Sequence, residues 1–284
     1  MASSISLEEM VNERGMPSAT LWPLTSISLF YTRRRATLRR SIQLLLDVRK
    51  EQSDPDFFYS RLAKDTCELV TALHRDTHGC GLSGTRVLDV GGGPGYFAAE
   101  FAAQGADYIG LEPDVGEMSA AGITVANSVR GDGMALPFRN NSFDVVYSSN
   151  VAEHIPHPWV MGEEMLRVCK PGGLVILSYT VWLGPFGGHE TGFWAHYLGG
   201  NFARDNYIKK HGQKPKNVFG ISLFDVSCSS GIRWASQANA KVVTLFPRYH
   251  PKWAWWFVSM PVFREFFVSN LVIVLQKATT NEGT

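Results

Sequence analysis

The chain has 284 residues, 45% of them hydrophobic, and a formal net charge of +1. That length holds one α/β domain with additions, or at most two small ones. A near-zero charge gives no overall field to draw in nucleic acid. Four scattered cysteines without a C-x-x-C pair read as reduced, packed thiols of a cytosolic protein rather than a disulfide framework.

Residues 1–27 lack periodicity and begin with "MASSISLEEMVNERG", which carries acids and no apolar run, so they read as a disordered leader and not a secretory signal. A helical extension is expected over 28–82. Its first part, Phe30 to Lys50, places Leu38, Ile42, Leu45 and Leu46 at helical spacing. Five arginines crowd positions 33–40 with no acid among them. They form either a solvated face or a surface attracted to anionic lipid headgroups. A second helix follows, with Asp54 as its cap and Pro55 at its first position; it ends at "HGCGLSG".

From Arg86 short apolar runs alternate with helical patterns, the signature of βαβ units. Strands are expected at Arg86–Val90, Tyr108–Leu111, Thr124–Val129, Phe143–Ser148 and Leu174–Tyr179. Helices are expected at Tyr96–Ala103, Val115–Ala120 and Pro158–Val168. Helix stops and turns come from "QG" at 104–105 and "KPGG" at 170–173. Residues 83–180 form the core, 181–240 a long insertion, and 241–278 two last strands, Lys241–Phe246 and Asn270–Gln276, split by an aromatic-rich insertion at 248–269; 279–284 is a tail. In 181–240, Ser222 and Asp225 resemble a capping box before a helix over Val226–Gln237. The most apolar region, Trp253–Leu275, is interrupted by Arg264, Glu265, Ser269 and Asn270 and reads as non-spanning.

The run "VLDVGGGPGY" is a strand, a glycine turn and a helix start. Read from Gly91 it is G-x-G-x-G; read from Gly93 it also satisfies G-x-G-x-x-A, so alone it fits two cofactors. The apolar strand ends at Val90, which places the turn at Gly91. Glu112, twenty-one residues on at the end of the next strand, suits a ribose diol. "GDGMALPF" then sets Asp132 where a carboxylate can accept an adenine amino proton.

These pieces, with "GLEPD", "FDVVYSSNVAEHI" and "LRVCKPGG", occur in the order and spacing of a family between Arg86 and Thr180. The chain resembles the class I S-adenosylmethionine-dependent methyltransferases, in the branch similar to quinone-biosynthesis enzymes. The resemblance implies an α/β Rossmann-like fold: a seven-stranded, mostly parallel sheet with helices on both faces, an antiparallel last strand, a helical N-terminal extension and a substrate-cap insertion. It implies S-adenosylmethionine as cofactor. Asp89, Gly91, Gly92, Gly93 and Gly95 would lie against the methionine moiety, and Glu112 would hold the ribose. Pro113 and Asp114 would flank the adenine, Asp132, Gly133 and Met134 would read its edge, and Ser149 and Asn150 would sit below the sulfonium.

Transfer from a sulfonium needs mainly alignment and exclusion of water, while an oxygen or carbon nucleophile can use a base. Candidates are His154, in "EHI", and His189 and Glu190, with His196 and Tyr197, in "GPFGGHETGFWAHYLGG", where glycines suggest a mobile lid. His189, Glu190 and His196 show no helical i, i+4 pair, and no metal site is expected. The aromatic stretch 248–269 reads as a packed flap, as a wall for a lipid-like acceptor, or as an interfacial anchor. The expected partner is a small hydrophobic, glycolipid or quinone-type acceptor, with no nucleic acid. Peripheral membrane contact would run through 33–50 and 252–267 of an otherwise cytoplasmic protein. Alternatives are a non-catalytic regulator that binds S-adenosylmethionine and a nicotinamide oxidoreductase.

Overall fold

A computed structural model describes residues 28–48, 50, 53–113 and 127–279. The expected helix Val115–Ala120, Asp114, and the first residues of the expected strand Thr124–Val129 lie outside these residues, as do the 1–27 leader and most of the tail. Strands β1 (Arg86–Val90), β2 (Asp107–Glu112), β3 (Ser128–Arg130), β4 (Phe143–Ser149), β5 (Cys169–Thr180), β6 (Ala240–Pro247) and β7 (Asn270–Lys277) form one sheet in the order 3-2-1-4-5-7-6. The first five are parallel, and β7 runs antiparallel to both β5 and β6. The strand order reverses between β1 and β4, and open α/β sheets bind ligands beyond the carboxyl ends at such a switch point.

The helices are α1 (Phe30–Arg35), α2 (Leu38–Val48), α3 (Pro55–His78), α4 (Tyr96–Ala103), α5 (Pro158–Val168), α6 (Gly200–His211), α7 (Cys228–Gln237) and α8 (Phe263–Phe267). Alternation along the strands divides their apolar residues between two layers. Val87, Tyr147, Ile176 and Val274 face Leu73 of α3 and Phe101 of α4. Leu88, Val146, Leu177 and Ile273 face Met161 and Met165 of α5 and Ile232 and Trp234 of α7. Each such aliphatic side chain contributes roughly 1.5–3 kcal/mol on burial, so both layers hold the sheet rigid under the site. Helix α3 begins as expected, with Asp54 accepting the Phe57 N–H and Pro55 in the first turn, and ends at Gly79 in the left-handed conformation.

Several local expectations differ. The stretch from Phe30 to Lys50 is two helices, because the chain leaves helical geometry at Ala36, whose carbonyl takes the Lys252 N–H instead. The apolar residues of α2 point outward, with Leu38 55% exposed, while part of the basic face turns inward. Arg40 grips both oxygens of Asp65 at 2.6 and 2.7 Å, and Arg35 bonds Asp65 and Glu68. Arg33, Arg34 and Arg39 remain exposed. "KPGG" is the bulged start of β5 rather than a turn before it, with the register shifting between Phe143 and Val145 of β4. Helix α7 starts two residues later than expected and is capped by Ser227, which accepts the Ser230 N–H; Ser222 accepts the Val218 N–H instead.

Candidate functional site

The glycine turn starts where β1 stops. Gly91, Gly93 and Gly95 have φ of +86°, +55° and +97°, a region open to glycine at little cost. The Gly91 and Gly92 N–H groups donate to the Leu111 carbonyl, so the turn is tied to β2. A Cβ on Gly91 would lie 2.4 Å from Val151 Cγ2, whereas one on Gly93 would meet nothing within 4 Å. Gly91 therefore answers to packing, and Gly93 keeps the cleft side open. Gly93 donates its N–H to Glu112 Oε2 at 3.1 Å, which places the carboxylate from the end of β2 on the rim of the turn. Gly92, Gly93, Gly95, Leu111, Glu112 and Ser128 line a small cleft beside the turn.

Asp89 lies under this turn and is buried. One of its oxygens accepts hydroxyl protons from Tyr108 at 2.7 Å and Tyr147 at 2.5 Å. Burial pushes its carboxyl up to about 7, against the lowering effect of both tyrosine hydrogen bonds. The two hydroxyls are pushed well above their ordinary value, first by burial and then by the Asp89 charge. Tyr108 on β2 and Tyr147 on β4 thus clamp the β1 carboxylate from both neighbours. Neither tyrosine was among the sequence candidates, although period-2 alternation puts both on one face of adjacent strands.

Past β3, Asp132 Oδ1 accepts the Met134 N–H at 2.8 Å and forms a short side-chain turn. Its other oxygen has no partner among the described residues, and the side chain is exposed. Gly133 is buried, and a Cβ there would crowd Met161 and Val90 at 3.2 Å. Pro113 follows β2, and its carbonyl accepts a proton from Arg130. These residues fit S-adenosylmethionine: a glycine turn that Gly93 keeps open on the cleft side, one carboxylate at its rim, and a second carboxylate with an uncommitted oxygen beyond the next strand.

At the exit of β4 a polar lattice takes over. Ser149 Oγ accepts from Arg248 at 2.6 Å, and Asn150 Oδ1 accepts from Asn270 Nδ2 at 2.6 Å. Asn150 holds φ +57°, which asparagine tolerates better than most residues. Arg248 is 2% exposed and also donates to Ser178 and Thr66, with Asp65 3.8 Å away. Burial alone would raise the Asp65 carboxyl, but the hydrogen bond and charge of Arg40, with Arg248 and Arg35, hold it below the usual range. From sequence, Arg248 reads only as a flank of the tryptophan stretch; a lone arginine at a strand end carries no sign that it is buried.

The catalytic candidates lie together in part. The His154 and His189 rings stand 5.1 Å apart, edge to face. Glu190 points elsewhere: its two oxygens accept the backbone and side-chain N–H groups of Asn217, clasping the insertion to itself. His196 is buried against Trp182 and bonds the Gly184 carbonyl; burial lowers its pKa. The glycines near His189 have a packing reason, since a Cβ on Gly187 would fall 1.8 Å from the Trp182 carbonyl oxygen. The aromatic stretch is divided. Ala254 and Val258 are buried and Trp255 stacks on Phe246 at 4.4 Å, while Trp253 is 64% exposed.

Residues 88–177 match the family model described as a methyltransferase domain. A protein of Mycobacterium avium (strain 104), named an uncharacterized methyltransferase, is 58% identical over 86% of this chain and 97% of its own. A Mycobacterium marinum protein of the same description is 57% identical over 85% of this chain and 96% of its own. A solved S-adenosylmethionine-dependent methyltransferase from Mesorhizobium loti overlaps 69% of this chain and 92% of its own, at 16% identity and a TM-score of 0.48.

Proposed function

This chain belongs to the S-adenosylmethionine-dependent methyltransferases, and from that premise we propose that its acceptor is a hydrophobic, lipid-like molecule methylated at oxygen or carbon. The acceptor reaches the cleft from a membrane surface on which the protein sits peripherally. S-adenosylmethionine, when bound, supplies a methyl group already activated on a positively charged sulfur.

The protein's part is to bind, align and exclude water. Glu112 takes the ribose diol. Asp132, with the Gly133 and Met134 backbone, takes the adenine edge beside Pro113. Asp89 holds the turn of Gly91, Gly92, Gly93 and Gly95 against the methionine moiety. Ser149 and Asn150, braced by Arg248 and Asn270, floor the transfer point. Glu190 serves to fasten the insertion rather than to move a proton.

The observation that carries the acceptor reading is a set of exposed apolar side chains on three segments that touch one another. Phe193, Trp194 and Leu198 of the insertion, Trp253, Trp256 and Phe263 of the aromatic stretch, and Leu38 and Leu45 of α2 are all exposed. Contacts join these three segments: Tyr197 stacks on Phe266 at 6.1 Å, and the Lys252 N–H reaches Ala36. Exposed aromatics of this kind favour a membrane–water boundary. Among the described residues no helix is long and apolar enough to cross a membrane, and the exposed side chains call only for surface contact. Flotation with phosphatidylglycerol–phosphatidylcholine vesicles tests this. The protein should rise with the vesicles, and Trp253→Ser/Trp256→Ser should lose at least half of that association. A protein that stays at the bottom of the gradient refutes the membrane route.

A further inference from the structure

We propose that Glu153, His154 and His189 form a binding site for one divalent transition-metal ion at the edge of the transfer point. One ring nitrogen of each histidine and one carboxylate oxygen of Glu153 lie within 4.8 Å of one another. Zinc-class ions bind nitrogen and carboxylate oxygen at about 2.0–2.2 Å, so modest side-chain adjustment closes such a set.

The surroundings leave one nitrogen of each ring and one oxygen of the carboxylate without a hydrogen-bond partner among the described residues. His154 Nδ1 is 2.7 Å from the Ser222 carbonyl, and His189 Nδ1 is 3.1 Å from the Gly187 carbonyl. A carbonyl only accepts, so in each ring Nδ1 donates and Nε2 is the nitrogen left for a metal ion. That second-sphere pattern is the one that fixes metal-binding imidazoles. Glu153 is 1% exposed. Its Oε1 accepts the Thr180 N–H at 3.1 Å, while Oε2 is buried with no partner among the described residues. A buried carboxylate oxygen without a partner is costly, and a cation between two imidazoles removes that cost.

Two histidines and one carboxylate leave coordination positions open, as in catalytic rather than structural sites. The location gives those positions a use. Glu153 and His154 follow Asn150 and Val151 with only Ala152 between, and Val151 packs on Gly91 of the donor turn. His189 comes from the insertion, so the ion would also pin that insertion over the core. Here the inference rests on the methyltransferase reading: an acceptor hydroxyl or carboxylate oxygen would occupy an open position. Ligation lowers the pKa of a hydroxyl, and its proton would pass to solvent.

Metal content is read first, without reference to turnover. Chelator-stripped full-length protein, titrated with Co²⁺ and in parallel with Zn²⁺, should bind about one equivalent and show the visible absorption of a low-symmetry cobalt site. Glu153→Gln and His189→Ala should each weaken binding tenfold or more, while calorimetry with S-adenosylhomocysteine shows donor affinity unchanged. His189→Ala guards against misfolding, since that side chain is only half-buried. No bound Co²⁺ or Zn²⁺, or binding that both variants retain, overturns the site. Failure to find an acceptor would leave these readouts intact, so the two readings fail separately.

Discussion

Asp89 is the residue on which the physical chemistry of the donor turn is most exposed to measurement. Its folded pKa of about 7 stands above its ordinary 3.8, so the folded state favours the protonated acid. The stability this gives is complete below about pH 4 and is lost as pH rises through about 7. A shift of that size corresponds to something on the order of 4 kcal/mol at 1.36 kcal/mol per unit. Asp89→Asn does not titrate and keeps an oxygen for Tyr108 and Tyr147. In urea melts without donor, the stability of wild type relative to this variant should fall between pH 4 and pH 7. A difference that is flat with pH would mean that Asp89 stays ionised in the fold. The sequence marks Asp89 by its motif but not this chemistry, because the two clamping tyrosines come from strands that neighbour β1 only in the sheet.

At the scale of elements, α1 and α2 are tied to α3 by charge, through Arg35 and Arg40. Asp65 of α3 binds Arg40 of α2, receives Arg35 of the segment before it, and lies 3.8 Å from the buried Arg248 at the end of β6. Removing one partner from a buried ion pair typically costs about 3–5 kcal/mol, because the remaining charge is stranded. Asp65→Ala should therefore lower stability by about that amount at pH 7. Because the Asp65 carboxyl is held low, its contribution is present above its ordinary 3.8 and fades as pH drops below it. Loss of less than about 1 kcal/mol at pH 7 would show that solvent already screens the cluster. What could be read from sequence follows the same physical divide. Period-2 strands, Asp54 before Pro55, and the glycine turn are local patterns, and they mark the sheet, α3 and α4 closely. Charges paired across 25 to more than 180 residues leave no such trace, so the helix of 30–50 reads as one amphipathic rod with a wet basic face. Its break at Ala36 depends on a carbonyl taken by Lys252, from the far end of the chain. "KPGG" misleads for a related reason: proline and glycine mark turns locally, yet the pairing of Cys169 and Leu174 with β4 draws them into a bulged strand.

For the whole molecule, the donor half and the acceptor half differ in how they are built. The donor half is a sheet edge at the β1/β4 switch point, rigid and encoded in five short motifs. The proposed acceptor half is the 181–240 insertion, the aromatic stretch and the N-terminal helices, which meet only in three dimensions and expose aromatic side chains such as Trp194 and Trp253. On the proposed function, this outward surface delivers a lipid-like acceptor to the donor turn. The most direct measurement incubates the enzyme and labelled S-adenosylmethionine with lipid and polar extracts of the source cells, then follows the label. We expect label in the lipid fraction, with transfer depressed severalfold in Trp253→Ser/Trp256→Ser. Label confined to the polar fraction, at equal rates in both proteins, would contradict it.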